Sequence, residues 1–281
     1  MMYGATAPGE SIPCARNTPL SPEELAAVVE VIAAGREQRK PVFLPDELRT
    51  RDWDSVMKVS LLLDKRLGWV PVGWKIGAAS EEVRRSEGLP GPAPGRIYRK
   101  TVFESPARIP SPLFINYRNV ECEFAFRLAK SISPRPEPYT EAEVGECVEC
   151  LTPTLEIGDM VFEDWYGASG YFGSCLDNGG GAALVCGARI VDWREIDLAN
   201  ARITLSLNGQ FVKEGFGGAA MGHPLTALTW LVNWLADRDL GLQAGEIVST
   251  GTCTGHCFVA AGDEVSAQFD GAGFVKARFE A

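Results

Sequence analysis

Histidine is scarce in this chain: of 281 residues only His223 and His256 are histidines. That excludes histidine-rich metal sites. Positive charge is also short. Lys and Arg number 27 against 37 Asp and Glu, a net charge of −10. A non-specific nucleic-acid binder needs the opposite sign to meet phosphates. No stretch approaches the roughly 18 to 20 uninterrupted apolar residues of a membrane span. No basic region followed by an apolar block opens the sequence, so a secretory leader is not expected. GxSxG is absent, which leaves an α/β-hydrolase triad unsupported. DNGGGA at 177–182 lacks the spacing of a phosphate-binding loop and no basic residue follows it, so it reads as a glycine-rich turn, with Asp177 able to face a cavity there.

What is present is ordinary for a soluble globular protein: 46% hydrophobic and 23% charged residues. Eight cysteines could pair, but most have apolar neighbours, and a reduced cytoplasmic protein is expected. Cys147-x-x-Cys150 has no second CxxC and is weak as a zinc or redox motif.

Ser21-Pro22-Glu23-Glu24 is a capping box, and Leu25, Val28, Val29 and Ile32 come after it at helical spacing, with Gly35 as a stop. A second helix is predicted over about Trp53–Leu67, with Val56, Met57 and Leu61 on one side and Gly68 beyond it. WVPVGWKIGAA reads as a strand, EGLPGPAPGRIY as an irregular Pro/Gly loop, and VECEFAFRL as a strand of period two. Thr140-x-x-Glu143 caps a predicted helix with a stripe of Val144, Cys147, Val148 and Leu151, closed by Pro153. Strands dominate from Thr154, including hairpins at Asn208-Gly209 and Asp270-Gly271. One strong helix begins at Pro224, with His223 capping or packing at its start. Strands and helices do not alternate regularly, so the fold class expected is α+β: a helical region over 1–70 and a β-rich body over 71–281.

The alternation in VECEFAFRL puts Glu121, Glu123, Ala125 and Arg127 on one face and Val120, Cys122, Phe124, Phe126 and Leu128 on the other. The glutamates read either as the wet side of a strand or as two arms of a hard-cation site, which then needs a third carboxylate. Glu156 is the candidate, at an expected strand start, with Asp159 more at home in a turn. Lys75, a lone cation in an apolar run, either snorkels or clamps an anionic substrate. TGTCTG at 250–255 offers hydroxyls and N–H groups that can hold an anion.

In order, GWKIG (73–77), ECEFAFRL (121–128), PTLEIGD (153–159), LDNGGGAALVCG (176–187), the run from Leu207 to Gly251 and the closing GDEVSAQFDGAGFVKARF resemble the 2-keto-4-pentenoate hydratase and 4-oxalocrotonate decarboxylase family, within the fumarylacetoacetate hydrolase superfamily. The resemblance implies a mixed β-roll with flanking helices and a homo-oligomer. It implies Mg²⁺ or Mn²⁺ on Glu121, Glu123 and Glu156, with Lys75 and Asp177 as catalytic residues and Lys75, Arg96 and Thr250 toward substrate. The implied chemistry is lyase action on a small 2-oxo or 2-hydroxydienoic acid, foremost hydration of a 2-hydroxypenta-2,4-dienoate-like compound, in which the metal stabilises an enolate and Asp177 or a carboxylate by the metal positions water. Decarboxylation, acylpyruvate-type C–C hydrolysis, and a non-catalytic role in a complex with another aromatic-degradation enzyme are the alternatives. Two loops depart from the family: the Asp-Asn turn continues with Gly179-Gly180 in place of Ala-Ser, and Ala93-Pro94-Gly95-Arg96 stands where Asp-Phe-Gly is usual. The His-Glu lid dyad of C–C-cleaving relatives has no counterpart.

Overall fold

The structure is a computed structural model and describes residues 17–86, 88–163 and 170–281. Cys14 and the opening stretch therefore lie outside the described residues. Helix α1 (Pro22–Gln38) starts on the expected capping box, with Ser21 Oγ accepting the Glu24 N–H and the Glu24 carboxylate accepting the Ser21 N–H. Its predicted apolar stripe is buried. It runs three residues past Gly35 and stops where Arg39 turns left-handed at φ 53°. Helix α2 (Trp53–Leu67) is capped by Asp52 and ended by Gly68 in the left-handed region. It buries Val56, Met57, Val59 and Leu63, whereas Leu61, expected on that stripe, is 40% exposed.

Strand β1 (Pro71–Gly77) comes next, then the short α3 (Glu81–Ser86) and β2 (Ala93–Tyr98). The second half of EGLPGPAPGRIY is therefore a strand and not a loop. Among the described residues it pairs only with β1, at the edge of its sheet, and an edge strand tolerates the missing N–H of Pro94. Beyond it lie β3 (Val102–Glu104), β4 (Ala107–Ile109), the predicted β5 (Asn119–Leu128) and α4 (Glu141–Gly145). Helix α4 has its capping box on Thr140 but ends well before Pro153, and Val148–Gly158 is strand β6. The expected longer helix fails because β6 is buried almost without interruption. A strand covered on both faces shows no alternation to tell it from a helix. Glu156 thus sits inside a strand, not at its start.

The chain continues through α5 (Gly170–Leu176), β7 (Gly181–Cys186), the hairpin β8 (Arg202–Leu207) and β9 (Gln210–Phe216), α6 (Pro224–Ala236), β10 (Ile247–Ser249), β11 (Cys257–Phe258) and the hairpin β12 (Glu264–Phe269) and β13 (Gly273–Phe279). His223 caps α6 by accepting the Leu225 N–H.

Two sheets result. The larger has the order β2-β1-β10-β5-β6-β7-β3, with β11 also on β5; the smaller has the order β4-β13-β12-β8-β9. Both mix parallel and antiparallel pairs, and with the helices they make an α+β fold. The apolar face of β5, with Val120, Cys122, Phe124 and Phe126 all fully buried, joins residues of the smaller sheet and of α6 in one core. A second core unites α1 and α2 with Met160, Val161, Phe162, Phe172 and Leu176. The other face of β5 is left to carry a site.

Candidate metal centre

Strands β5 and β6 are antiparallel with Glu121 directly opposite Glu156, so the two carboxylates leave the sheet on the same side. Glu123, two residues on from Glu121, joins them. One carboxylate oxygen from each of Glu121, Glu123 and Glu156 lies within 4.8 Å of the others. The face is not wet at its centre, since Glu123 is only 1% exposed. Cys122 points the other way and is fully buried, and the described cysteines are all free thiols.

The hydrogen bonds of the cluster are unequal. Glu123 Oε2 accepts from Ser249 Oγ at 2.6 Å and from the Gly251 N–H at 3.0 Å. Glu123 Oε1 is buried with no hydrogen-bond partner. Glu121 Oε1 meets His256 Nδ1 at 2.5 Å, and Glu156 Oε1 meets Lys75 Nζ at 3.2 Å. Burial, with Glu156 and Glu121 close by, pushes the Glu123 carboxyl well above the usual carboxylate range. Burial also raises Glu156, against the pull of Lys75. Burial acts most strongly on Glu121 too, but His256, Lys75 and Lys213 together outweigh it and hold its carboxyl low. Lys75 stays charged: burial opposes its charge, but Glu156, Glu121 and Glu123 together more than compensate.

Three buried carboxylates this close repel one another unless protonated or bridged by a cation. An orphaned buried oxygen in an all-oxygen donor set fits a hard divalent ion such as Mg²⁺ or Mn²⁺. The residues present therefore suit a metal, and Glu121, Glu123 and Glu156 would hold it.

The cluster lies at a cavity of about 180 Å³, lined among others by Lys75, Tyr117, Asn119, Glu121, Glu156 and His256. Residues 76–80, Val83 and Ser86 also line it, as do Ser174, Gly179, Gly180 and Thr252. Strand β1 delivers Lys75 in register with Ser249 of β10, and its ammonium donates to the Gly179 carbonyl at 2.8 Å.

Other residues singled out from the sequence take different places. Asp177 does not line the cavity. Its Oδ1 accepts from Arg36 Nε at 3.2 Å, and its Oδ2 accepts from Arg36 Nη2 and from the Val161 N–H, both at 2.6 Å. With both oxygens engaged, Asp177 is not placed to act as general base, contrary to the expectation. Arg96 lies across from Trp74 on β2, its guanidinium 4.1 Å from that ring's centroid and its Nε 3.7 Å from Asp64. Strand alternation keeps it off that cavity, because Gly95 is the residue beside Lys75, and it lines instead a much smaller one of about 20 Å³ that Lys75 and Glu156 also border. Thr250 is fully buried and its hydroxyl donates to the Phe124 carbonyl at 2.8 Å, so Thr252, not Thr250, reaches the cavity. Asp159 is an anchor: its carboxylate accepts the N–H groups of Ile115, Asn116 and Tyr117. Thr252 belongs to the hydroxyl-rich turn singled out from the sequence, whereas nothing there points to Asn119 or Tyr117, and His256 reads there only as one of two scarce histidines. The one available signal was that His256 closes the hydroxyl-rich turn at 250–255.

Residues 96–280 match the family model described as fumarylacetoacetate (FAA) hydrolase C-terminal. The chain belongs to the fumarylacetoacetate hydrolase family. Within it, the chain is 29% identical over 225 residues to a 2-keto-4-pentenoate hydratase of Burkholderia vietnamiensis (strain G4 / LMG 22486), covering 80% of this chain and 84% of that one. It is 31% identical over 137 residues to a 4-oxalocrotonate decarboxylase of Pseudomonas putida, 49% of this chain and 51% of the relative. In fold it resembles the 4-oxalocrotonate decarboxylase from Pseudomonas putida G7 complexed with magnesium and adipate, with a TM-score of 0.85 at 23% identity over 94% of this chain and all of that one.

Proposed function

We propose that this member of the family is a divalent-metal-dependent hydro-lyase that adds water to a small 2-hydroxydienoic acid of the 2-hydroxypenta-2,4-dienoate type. The observation that carries the reading is the orphaned Glu123 Oε1 inside a three-carboxylate cluster, at a cavity of metabolite size that Glu121, Glu156 and Lys75 line. The likeness to a curated hydratase over most of both chains supports hydration in particular. A bound Mg²⁺ or Mn²⁺ supplies Lewis-acid stabilisation of negative charge developing on the substrate's C2 oxygen.

The chain's own residues do the rest. An ammonium has three donors, and Lys75 spends two on Gly179 and Glu156, which leaves one for a substrate carboxylate. His256 sits on Glu121 at the cavity surface and Lys75 on Glu156, so proton transfer to and from the diene falls to the imidazole and the ammonium, which these carboxylates orient. Tyr117, Asn119 and Thr252 offer hydrogen bonds along the walls, and Ile76, Ala78 and Val83 exclude water from the carbon chain.

The two sheets act as one β-roll catalytic body over 71–281, and the described helices α1 and α2 of the N-terminal region 1–70 brace it through the shared second core. Exposed Phe211, Val212 and Phe216 on the edge strand β9 support a homo-oligomer. Free thiols support a reducing, cytoplasmic setting. No helix among the described residues is long and apolar enough to cross a membrane.

Decarboxylation of a vinylogous 2-oxo acid is the second reading, favoured by the partial likeness to the decarboxylase. Incubation with a 2-hydroxydienoate and Mg²⁺ separates the readings. Loss of diene absorbance with water incorporated is the expected result, release of CO₂ supports decarboxylation, and two acid products support C–C hydrolysis. A metal-free, inert protein would leave only the role of a partner subunit.

A further inference from the structure

The proposed function leaves unused a contact between the N-terminal helix and the cavity wall. Near the end of α1, Gly35 and Arg36 dock side by side. Gly35 packs so closely that a Cβ there would lie 2.4 Å from Val161 Cγ2 and 2.8 Å from Val42 Cγ1. Arg36, its side chain 11% exposed, makes the forked pair with Asp177, whose side chain is 3% exposed. Oδ2 of the same carboxylate holds the Val161 N–H. Segments far apart in the sequence are thus fastened at one point.

The turn just after Asp177 borders the cavity. Asn178, Gly179 and Gly180 all adopt positive φ, at 59°, 58° and 72°, a tight turn that glycine makes without strain. Asp177 starts the turn, its carbonyl accepting the Gly180 N–H. Asn178 is clipped to β2, accepting the Arg96 N–H at 2.5 Å and donating to the Arg96 carbonyl at 2.9 Å. The Gly179 carbonyl then receives Lys75 Nζ, and the Gly180 carbonyl receives the Asp159 N–H.

We propose that Arg36 is a positioning residue. Through Asp177 it holds the 178–180 turn against the cavity and thereby fixes where the Lys75 ammonium points. This rests on the reading of Lys75 as the substrate-carboxylate contact. A forked guanidinium–carboxylate pair suits the task because its two parallel bonds fix direction as well as distance. A buried ion pair adds little net stability over apolar packing, which favours a geometric role for it. Catalytic groups need such support, since small displacements of a reacting group are expensive in rate.

The test is the double variant Arg36→Met with Asp177→Asn. It removes both charges together, orphans neither, and leaves an amide oxygen to accept the Val161 N–H. Three quantities are measured: Mg²⁺ affinity, pyruvate affinity at saturating Mg²⁺, and acylation of Lys75 by an amine-selective reagent, relative to exposed Lys65. We expect Mg²⁺ affinity within about twofold of wild type, pyruvate affinity weaker by about tenfold, and Lys75 acylation roughly 10- to 100-fold faster. Wild-type values for both pyruvate and Lys75 would overturn the proposal. So would Mg²⁺ affinity falling in step with Lys75 protection, which marks general loosening. Arg36→Lys keeps the charge without the fork and should fall between wild type and the double variant; wild-type behaviour there would also count against the role. A wild-type protein that binds Mg²⁺ but not pyruvate sinks the functional reading, while the acylation arm still decides the positioning role.

Discussion

Glu123 and Asp177 are buried to nearly the same depth, 1% and 2% exposed, yet their surroundings are opposite in kind. Asp177 faces a guanidinium and a backbone N–H, and both of its oxygens are engaged. Glu123 faces two more carboxylates, and one of its oxygens has nothing to accept from. A buried carboxylate with all its partners in the chain is a joint. One set among like charges, which must keep a proton or take up a cation, is a binding site.

Substitution should separate the two most sharply. Glu123→Gln is expected to cut turnover by about 1,000-fold or more, because several kcal/mol of Lewis-acid stabilisation go with the metal. The same change should leave the metal-free protein as stable as wild type or about 1–3 kcal/mol more so, since it relieves like-charge repulsion and lets an amide fill the unmet bond. Arg36→Ala should do the reverse to stability. It strands Asp177 in the interior and is expected to cost about 3–5 kcal/mol, read from denaturant unfolding. If both variants lose stability alike, the distinction between joint and site fails. A smaller effect is expected from Gly35→Ala, at about 1–3 kcal/mol, because Val161 and Val42 must move to admit a methyl group.

Acidity offers a finer contrast. Burial and neighbouring carboxylates raise Glu123 well above the ordinary range and raise Glu156 as well. In metal-free protein the cluster therefore keeps a proton at pH values where an unfolded chain has released it. Stability of the metal-free form should fall as pH rises through that range, because the folded state loses its advantage in holding the proton. Mg²⁺ must displace that proton, so its affinity should climb by up to about tenfold per pH unit there and level off above. Calorimetry in buffers of different ionisation enthalpy counts the protons released; none released would contradict the sign.

Much of the fold and site was legible in the residues alone. The period of two in VECEFAFRL aimed Glu121 and Glu123 the same way, and β5 does so. Both capping boxes start helices where the sequence has them. Illegible were the contacts made at long range. Nothing local says that Glu156 lies opposite Glu121, because β6 is buried on both faces and resembles the continuation of a helix. Nothing near Asp177 shows that Arg36, 141 residues earlier, occupies it. The same holds for His256, whose role comes from meeting Glu121 across the sheet. Gly35 reads as a helix stop from its type alone, whereas its use is close approach to Val161.

The most direct measurement is calorimetric titration of Mn²⁺ and Mg²⁺ into the wild-type chain and into Glu123→Gln. One saturable site per chain is expected in the wild type and none in the variant, with the variant still folded by circular dichroism. Equal binding by both proteins, or no binding by the wild type, would contradict this expectation.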